Sequence, residues 1–183
     1  MFTVHASEAA MLDHDTTLIA DATPRALVLH GDATALSGLC GALHERRVET
    51  VSACDGEAGL TKLLDELLSL DVLVMALDLP GRDARSLTRL IRKAGNERDL
   101  GLVVVAENPT PALRLELRGL GVDAIVDRAD GPHAVASAAL DVVRRRGETV
   151  ELELEAWRHA PAAEPIGETT WFALGRGQMA MVA

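Results

Sequence analysis

Apolar and polar positions follow a regular order between residues 25 and 146. Short runs rich in apolar residues, typical of strands buried on both faces of a parallel sheet, occur at residues 26–29, 48–53, 72–76, 102–106 and 124–126. After each run, apolar residues recur at steps of three and four, which is the spacing of an amphipathic helix. Five strand–helix units in this order predict a doubly wound α/β sheet, because strand twist makes the connections right-handed.

Capping residues indicate where the helices begin. Asp32 and Asp55 precede the first and second helical repeats, and Thr110-Pro111 gives the fourth helix an N-cap followed by a proline at its first position. The fifth helix is predicted at about residues 131–146. The inward faces of the second and third helices are predicted to carry Leu60, Leu63, Leu64, Leu67, Leu87, Leu90, Ile91 and Ala94.

The two ends of the chain differ from this pattern. Residues 1–24 lack sustained periodicity and predict a flexible tail ahead of a domain at residues 25–147. Residues 148–183 form a C-terminal extension. In it, apolar residues alternate with glutamates from 150 to 156, which is the period of a strand, although Glu, Leu and Ala also favour helices. A second strand is predicted within residues 168–174, so the extension could hold a strand pair.

Most of the aromatic residues lie in this extension, which holds three of the four in the chain. Large aromatic side chains supply rigid contact area at interfaces. We therefore expect the extension either to pack on its own domain or to act as a partner-binding arm. The basic run at residues 144–146 is either a solvated helix end or part of a docking face. The residues predicted to contact a partner are Trp157, Trp171, Phe172, Arg144, Arg145 and Arg146.

Composition and charge limit the classes of function. The chain has 183 residues and a formal net charge of −10. This charge argues against nucleic-acid binding or an anionic-membrane surface, because phosphates are met by Lys and Arg. No apolar run approaches the ~20 residues of a membrane helix, and the N-terminus does not resemble a secretory signal, so we expect a cytoplasmic protein.

Candidate catalytic chemistry is sparse. Cys40 and Cys54 lack the spacing of a metal or redox motif and are predicted to be free thiols. The sequence contains no glycine-rich phosphate-binding motif and no evident nucleophile–base pair. We therefore predict no catalytic residue, no metal and no cofactor, and expect that the protein is not an enzyme.

Residues 71–83, which read DVLVMALDLPGRD, resemble the third strand and following loop of bacterial response-regulator receiver domains. In that family the strand ends in an aspartate that accepts a phosphoryl group, four residues before the Pro-Gly of the loop. The matching position here is Ala76, four residues before Pro80. An alanine methyl group cannot attack phosphorus, bind magnesium or ionise. The resemblance therefore implies the receiver fold without the phosphorylation chemistry of the family.

Other positions of the phosphorylation pocket also depart from the family pattern. The consecutive acids that hold magnesium in receivers are replaced by His30-Gly31-Asp32, which leaves one acid. The switch serine or threonine is replaced by Ala106, and the lysine after strand five by Arg128. Two carboxylates remain, those of Asp32 and of Asp78, which lies two residues after the phosphoacceptor position. Such a pair rarely holds magnesium tightly. The predicted degenerate pocket comprises His30, Gly31, Asp32, Ala76, Asp78, Ala106 and Arg128.

The resemblance covers about residues 25–146 and implies the sheet order 2-1-3-4-5, with the extension outside it. It predicts a pseudo-receiver: a non-phosphorylatable member of the family that acts as a signalling adaptor through protein–protein contacts in a bacterial pathway. In receivers, the face formed by helix 4, strand 5 and helix 5, here about residues 109–146, commonly binds partners or a second copy, so a homodimer through it is expected as one arrangement. The alternative is a small-ligand or pH sensor that uses the degenerate pocket.

Overall fold

The computed structural model describes residues 23–94, 100–158, 171–174 and 178–181. Its centre is a sheet of five parallel strands in the order β2-β1-β3-β4-β5, which confirms the predicted doubly wound fold. The tail predicted at residues 1–24 lies outside the described residues apart from Thr23 and Pro24. The strands of the sheet are β1 (Arg25–Leu29), β2 (Glu49–Ala53), β3 (Val72–Ala76), β4 (Gly101–Ala106) and β5 (Ala124–Asp127).

Helices connect these strands and cover both faces of the sheet. They are α1 (Ala33–His44), α2 (Gly56–Glu66), α3 (Ala84–Lys93), α4 (Pro111–Gly119) and α5 (Pro132–Arg158). The predicted caps Asp32, Asp55 and Thr110 are confirmed, because each side chain accepts a hydrogen bond from a backbone N–H three residues later. Each cap satisfies a donor that the first turn of the helix leaves unpaired.

The hydrophobic core has two layers, one on each face of the sheet. Successive strand residues face opposite sides, so Ala26 and Val28 of β1 pack with α1 and α5, whereas Leu27 and Leu29 pack with α2, α3 and α4. The strands β3 and β4 are buried along their whole length. Burial on both faces explains why these strands appear in the sequence as continuous apolar runs.

Leu64, Leu90 and Ala94 were predicted to face inward but are exposed, so that part of the prediction is wrong. Leu64 of α2 is 68% exposed and Leu90 of α3 is 41% exposed. In α2, Gly59 lies so close to the sheet that a Cβ there would be 2.7 Å from Leu29 Cδ1. Because the helix meets the sheet through this glycine and Leu63, Leu64 is rotated away from the contact.

The fifth helix continues to Arg158, so its predicted end at residue 146 and the strand predicted within 150–156 are wrong. Adding residues to an existing helix avoids the cost of nucleation, and the Glu, Leu and Ala residues of this segment favour helix enough to outweigh one glycine. A strand within residues 168–174 is present as β6 (Trp171–Leu174), which pairs antiparallel with β7 (Gln178–Met181). Within the described part of the chain, no helix is long and apolar enough to cross a membrane.

Candidate functional site: the carboxyl edge of the sheet

The carboxyl ends of the parallel strands bring the predicted pocket residues to one edge of the sheet. His30 follows β1, Ala76 ends β3, Ala106 ends β4 and Arg128 follows β5. The strand register places Ala76 beside Val105 of β4 and pairs the last residues of β4 and β5. The separate segments of the predicted pocket therefore meet at the edge where ligands bind in doubly wound sheets.

His30 is the most buried polar side chain of this edge. It is 7% exposed, and its Nδ1 accepts a hydrogen bond of 3.0 Å from the backbone N–H of Asp32. A nitrogen that accepts carries no proton, so this contact requires the neutral imidazole. The pKa of His30 is lowered from its ordinary value mainly by burial and, as the second cause, by the positive charge of Arg128. The histidine therefore acts as a neutral brace for the loop between β1 and α1.

Carboxylates near this edge cap helices and turns. Asp32 accepts from the backbone N–H of Ala35 at 2.8 Å, and this hydrogen bond lowers its pKa. Asp55, Asp83 and Asp127 cap α2, α3 and the turn after β5 in the same way, at 2.7, 2.8 and 3.0 Å. Hydrogen bonds within their own segments fix the positions of these acids, so they do not converge on a common point.

The receiver family implies a magnesium ion at this edge, and the residues present do not fit one. Magnesium takes oxygen ligands in octahedral geometry, with carboxylates as its protein anchors. Here Ala76 and Gly31 supply no side-chain oxygen, while Asp32 and Asp78 are exposed. Among the residues that the structure describes, no group of three or more His, Cys, Asp or Glu side chains could hold a metal ion.

The loop between β3 and α3, residues 77–83, packs against the connection between β1 and α1. A Cβ added at Gly31 would be 2.9 Å from Pro80 Cδ and 3.1 Å from Pro80 Cγ, so the proline ring occupies the volume of a side chain at position 31. The carbonyl oxygen of Pro80 accepts a 3.0 Å hydrogen bond from the backbone N–H of Gly56. A Cβ at Gly56 would be 2.2 Å from the carbonyl oxygen of Arg82. Because Gly31 and Gly56 have no side chain, this loop can pack closely against the β1–α1 connection and the start of α2.

An ion pair also joins this loop to α2. Arg82 Nη2 lies 3.1 Å from Glu57 Oε1, with both side chains well exposed, so it contributes little by itself. Sequence reasoning identified the Pro-Gly loop but not its contact with Gly31. In the sequence, Gly31 and Gly56 were the signals for this contact, but a glycine by itself does not show which residue packs against it.

Helix α4 is held by arginines that the sequence analysis did not single out. Arg114 donates to the carbonyl oxygen of Ile125 in β5 at 3.1 Å and to that of Pro109 at 3.3 Å. Arg85 of α3 donates to Glu116 of α4 at 2.8 Å, and this hydrogen bond raises the pKa of Arg85. Both contacts fix α4 relative to its neighbours on the two sides.

The candidate partner residues of the basic run occupy different environments. Arg144 is well exposed and pairs with Asp141 at 3.2 Å, and Arg145 donates to the backbone of Asp141. Arg146 is only 19% exposed and pairs with Asp123 at 2.7 Å. The structure therefore leaves the first two arginines at the surface and directs the third toward the domain.

Asp123 is the centre of an ionic cluster at the opposite edge of the sheet. Its carboxylate accepts from Arg146, from Arg92 at 3.1 Å and from the backbone N–H of Leu102 at 2.7 Å. Arg92 also donates to the carbonyl oxygen of Gly121. The cluster joins α3, β4, β5 and α5.

The aromatic candidates fall in the C-terminal elements. Trp157 belongs to the last turn of α5, whereas Trp171 and Phe172 begin β6. Their side chains lie outside the described residues, so the predicted partner contacts of these three stay a prediction.

Comparison with known proteins supports the fold. No protein-family model matches the chain, and no curated protein matches it. Among solved structures, it is similar to a response-regulator receiver domain protein from Clostridium thermocellum, with 15% identity and a TM-score of 0.63 over 69% of this chain and 98% of that one. It is similar to a CheY-like receiver domain protein from Methanospirillum hungatei, with 16% identity and a TM-score of 0.62 over 70% and 99%.

A Francisella response-regulator receiver domain is also similar, with 20% identity and a TM-score of 0.60 over 67% of this chain and 98% of that one. At these identities the likeness establishes the fold: the chain has the receiver fold of response-regulator signalling proteins. The chemistry possible at the carboxyl edge of the sheet follows from the residues of this chain that lie there.

Proposed function

We propose that the protein is a pseudo-receiver, a non-enzymatic signalling adaptor that keeps the receiver fold and works through protein–protein contacts without being phosphorylated. The observation that carries the proposal is the end of β3. There the phosphoacceptor position of the family is Ala76, whose side chain is 8% exposed, and the loop that follows places Pro80 against Gly31. Position 76 therefore supplies no nucleophile, and the proline leaves no free space for a side chain at position 31.

Chemistry supports the same proposal. Transfer of a phosphoryl group to a receiver needs a carboxylate nucleophile and a cation that neutralises the charge developing on the phosphate oxygens. The predicted pocket contains two carboxylates, that of Asp32, which caps α1, and that of Asp78, which is exposed two residues beyond the strand. The guanidinium of Arg128 keeps a positive charge at this edge, but it lacks the compact geometry of an ammonium group.

The surface proposed to contact partners is the face formed by α4, β5 and α5, at about residues 109–146. Leu115 of α4 is 75% exposed there. Arg114 and the Arg85–Glu116 pair tie the helix to β5 and to α3. Without a phosphorylation switch, a helix held in this way would present one conformation to its partner, and a change of state would have to come from partner binding. A second copy of the chain is one candidate partner for this face.

The phosphorylation test uses acetyl phosphate and a histidine kinase with magnesium, followed by mass spectrometry of the intact protein. We expect no mass gain. We also expect none for Ala76→Asp, because His30 and Gly31 still supply no metal ligands. An acid-labile phosphoryl group on the unmodified chain, mapped to Asp32 or Asp78, would overturn the proposal.

The adaptor test compares two exposed leucines by affinity capture from the native cell. Leu115→Asp should lose the specifically bound proteins, whereas Leu68→Asp, at a position that is 85% exposed and follows α2, should retain them. Equal loss in both variants, or loss in neither, would show that the α4–β5–α5 face is not the contact surface.

A pH-sensing function is the second candidate, because His30 is buried and its Nδ1 accepts a backbone hydrogen bond. Protonation would break that bond and place a second cation near Arg128. A ligand-sensing version requires the pocket to bind an anion beside Arg128. It would be supported by saturable shifts of amide resonances around residues 30–32 and 106–108 on adding a metabolite, lost in Arg128→Ala.

A further inference from the structure

Helices α3 and α4 carry a positive charge that contrasts with the rest of the chain. Residues 84–93 and 111–119 contain six basic residues and one acid, a net charge of +5, in a chain whose formal net charge is −10. The two helices are neighbours on the domain, because Arg85 of α3 donates to Glu116 of α4 at 2.8 Å. Their outer sides therefore form one surface whose charge is opposite in sign to that of the whole protein.

Three cations on this surface are exposed: Arg89 and Lys93 of α3 and Arg118 of α4. None of them makes a side-chain hydrogen bond or an ion pair with another residue that the structure describes. Leu115, one turn before Arg118, is 75% exposed. We call these four residues the basic surface. An exposed leucine next to a few cations suits a protein partner, because a nucleic acid requires many phosphate contacts.

The last three turns of α5 have the complementary chemistry. Residues 147–158 contain four glutamates and one arginine, a net charge of −3. Glu148 and Leu152 lie one turn apart on the same side of the helix. Both are exposed, and Leu152 is exposed by 67%. This segment therefore matches the basic surface in two respects, since each has an exposed leucine and the two have charges of opposite sign.

The end of α5 cannot reach the basic surface of its own chain. Val142 packs on the sheet face that α5 shares with α1, whereas α3 and α4 pack on the opposite face. The helix is continuous to Arg158, so residues 147–158 extend in the same direction for about 18 Å at 1.5 Å per residue. Because a continuous helix does not turn around the sheet, this segment can contact the basic surface of a second copy only.

We propose that the protein self-associates head to tail, with Glu148 and Leu152 of one copy packed on the basic surface of the next copy. The two contact surfaces differ, so the contact is heterologous, and its repetition either closes into a ring or extends the assembly. Contacts between two basic surfaces, or between two acidic helix ends, would bring like charges together. The proposal rests on the contact role proposed above for α4 and names the occupant of its outer side.

Sedimentation velocity of the full chain over a range of protein concentrations measures this self-association. Arg89→Glu combined with Lys93→Glu should weaken it by about tenfold or more, because the variant surface repels the acidic helix end. Leu152→Lys should weaken it to a similar degree, because it removes the apolar contact and adds a like charge. Higher salt should weaken the association of the unmodified chain, since salt screens charges at a surface.

Matched controls make the same changes of charge at exposed positions elsewhere on the domain. Arg46→Glu combined with Lys62→Glu is the control for the double variant, and His133→Lys, at the other end of α5, is the control for Leu152→Lys. Both controls should leave the self-association within about twofold of that of the unmodified chain. Circular dichroism checks that each variant is folded.

A mixture of the two defective chains tests whether the two surfaces contact each other. The Arg89→Glu/Lys93→Glu chain keeps its helix end, and the Leu152→Lys chain keeps its basic surface. Each should be monomeric alone, whereas their equal mixture should form a complex of two copies and nothing larger, because only one contact can form between them. A mixture that stays monomeric would overturn the proposal.

Two other results would also overturn the proposal: an unmodified chain that is monomeric at every concentration, and controls that weaken association as much as the test variants do. Neither result would refute the adaptor function. That function is tested by the effect of Leu115→Asp on the capture of other proteins, so the two failures can be told apart.

Discussion

Replacing Gly31 by alanine tests the close contact between Gly31 and Pro80 at the carboxyl edge of the sheet. The added Cβ would lie 2.9 Å from Pro80 Cδ, which is well inside ordinary van der Waals contact. The proline ring is rigid, and its loop is tied to the domain by the Gly56 N–H to Pro80 carbonyl bond and by the Leu77 N–H to Val105 carbonyl bond of 2.8 Å. Since neither side can move freely, the overpacking should appear as lost stability.

We expect Gly31→Ala to lower the free energy of unfolding by about 1–3 kcal/mol, the usual cost of forcing an extra group into a packed site. The control is Gly38→Ala in α1, where an added Cβ meets nothing within 4 Å. That change should be stabilising by about 0.5–1 kcal/mol, because alanine restricts the unfolded chain more than glycine does. The two substitutions add the same methyl group and should therefore have opposite signs.

Urea unfolding followed by circular dichroism measures both variants, and a loss of about 2 kcal/mol would move the midpoint by about 1 M. The double variant Gly31→Ala with Pro80→Ala should recover most of the loss, with a coupling energy of about 1–2 kcal/mol between the two positions. If Gly31→Ala is as stable as Gly38→Ala, or if Pro80→Ala brings no recovery, the proline does not fill the space at position 31.

Three further predictions concern charged groups. Asp123→Ala should cost about 3 kcal/mol in urea unfolding, because it leaves a backbone N–H and two arginines without their shared acceptor, whereas Asp141→Ala at the surface should cost at most about 0.5 kcal/mol. The free energy of unfolding should fall as the pH drops below 6.5 toward the lowered pKa of folded His30, because the unfolded chain binds the proton more readily there. Unfolding curves of His30→Gln should lose part of this slope. Arg114→Ala should lower the free energy of unfolding by about 1–2 kcal/mol. It should also speed hydrogen exchange of the amides of α4 more than that of the amides of α3.

Much of the fold followed from local patterns in the sequence. The strands were predicted because burial on both faces requires continuous apolar residues, and this requirement is visible without knowing which residues lie opposite. Asp32 and Thr110 marked helix starts because a cap acts on a backbone N–H only three residues away. The alanine at position 76, four residues before Pro80, was also readable, since it depends on the identity of one residue at one position of a motif.

The predictions failed where the outcome depended on distant residues or on competition between local preferences. Leu64 fits the helical repeat, but its exposure is set by the close approach of Gly59 to Leu29, which lies in another element. The alternation at residues 150–156 has the period of a strand, yet the helix that precedes it extends through it because elongation avoids nucleation.

The sequence by itself determined the fold class, the cap positions and the presence of an alanine at the end of β3, because each is fixed by residue types within a few positions of one another. Only the tertiary structure decided that Pro80 covers Gly31, that Arg146 is directed to Asp123 and that Arg114 holds α4 to β5. These contacts join residues that are 49, 23 and 11 positions apart and that lie in different segments of the fold. Their existence depends on how the elements are arranged in space, which a pattern of residue types along the chain does not encode.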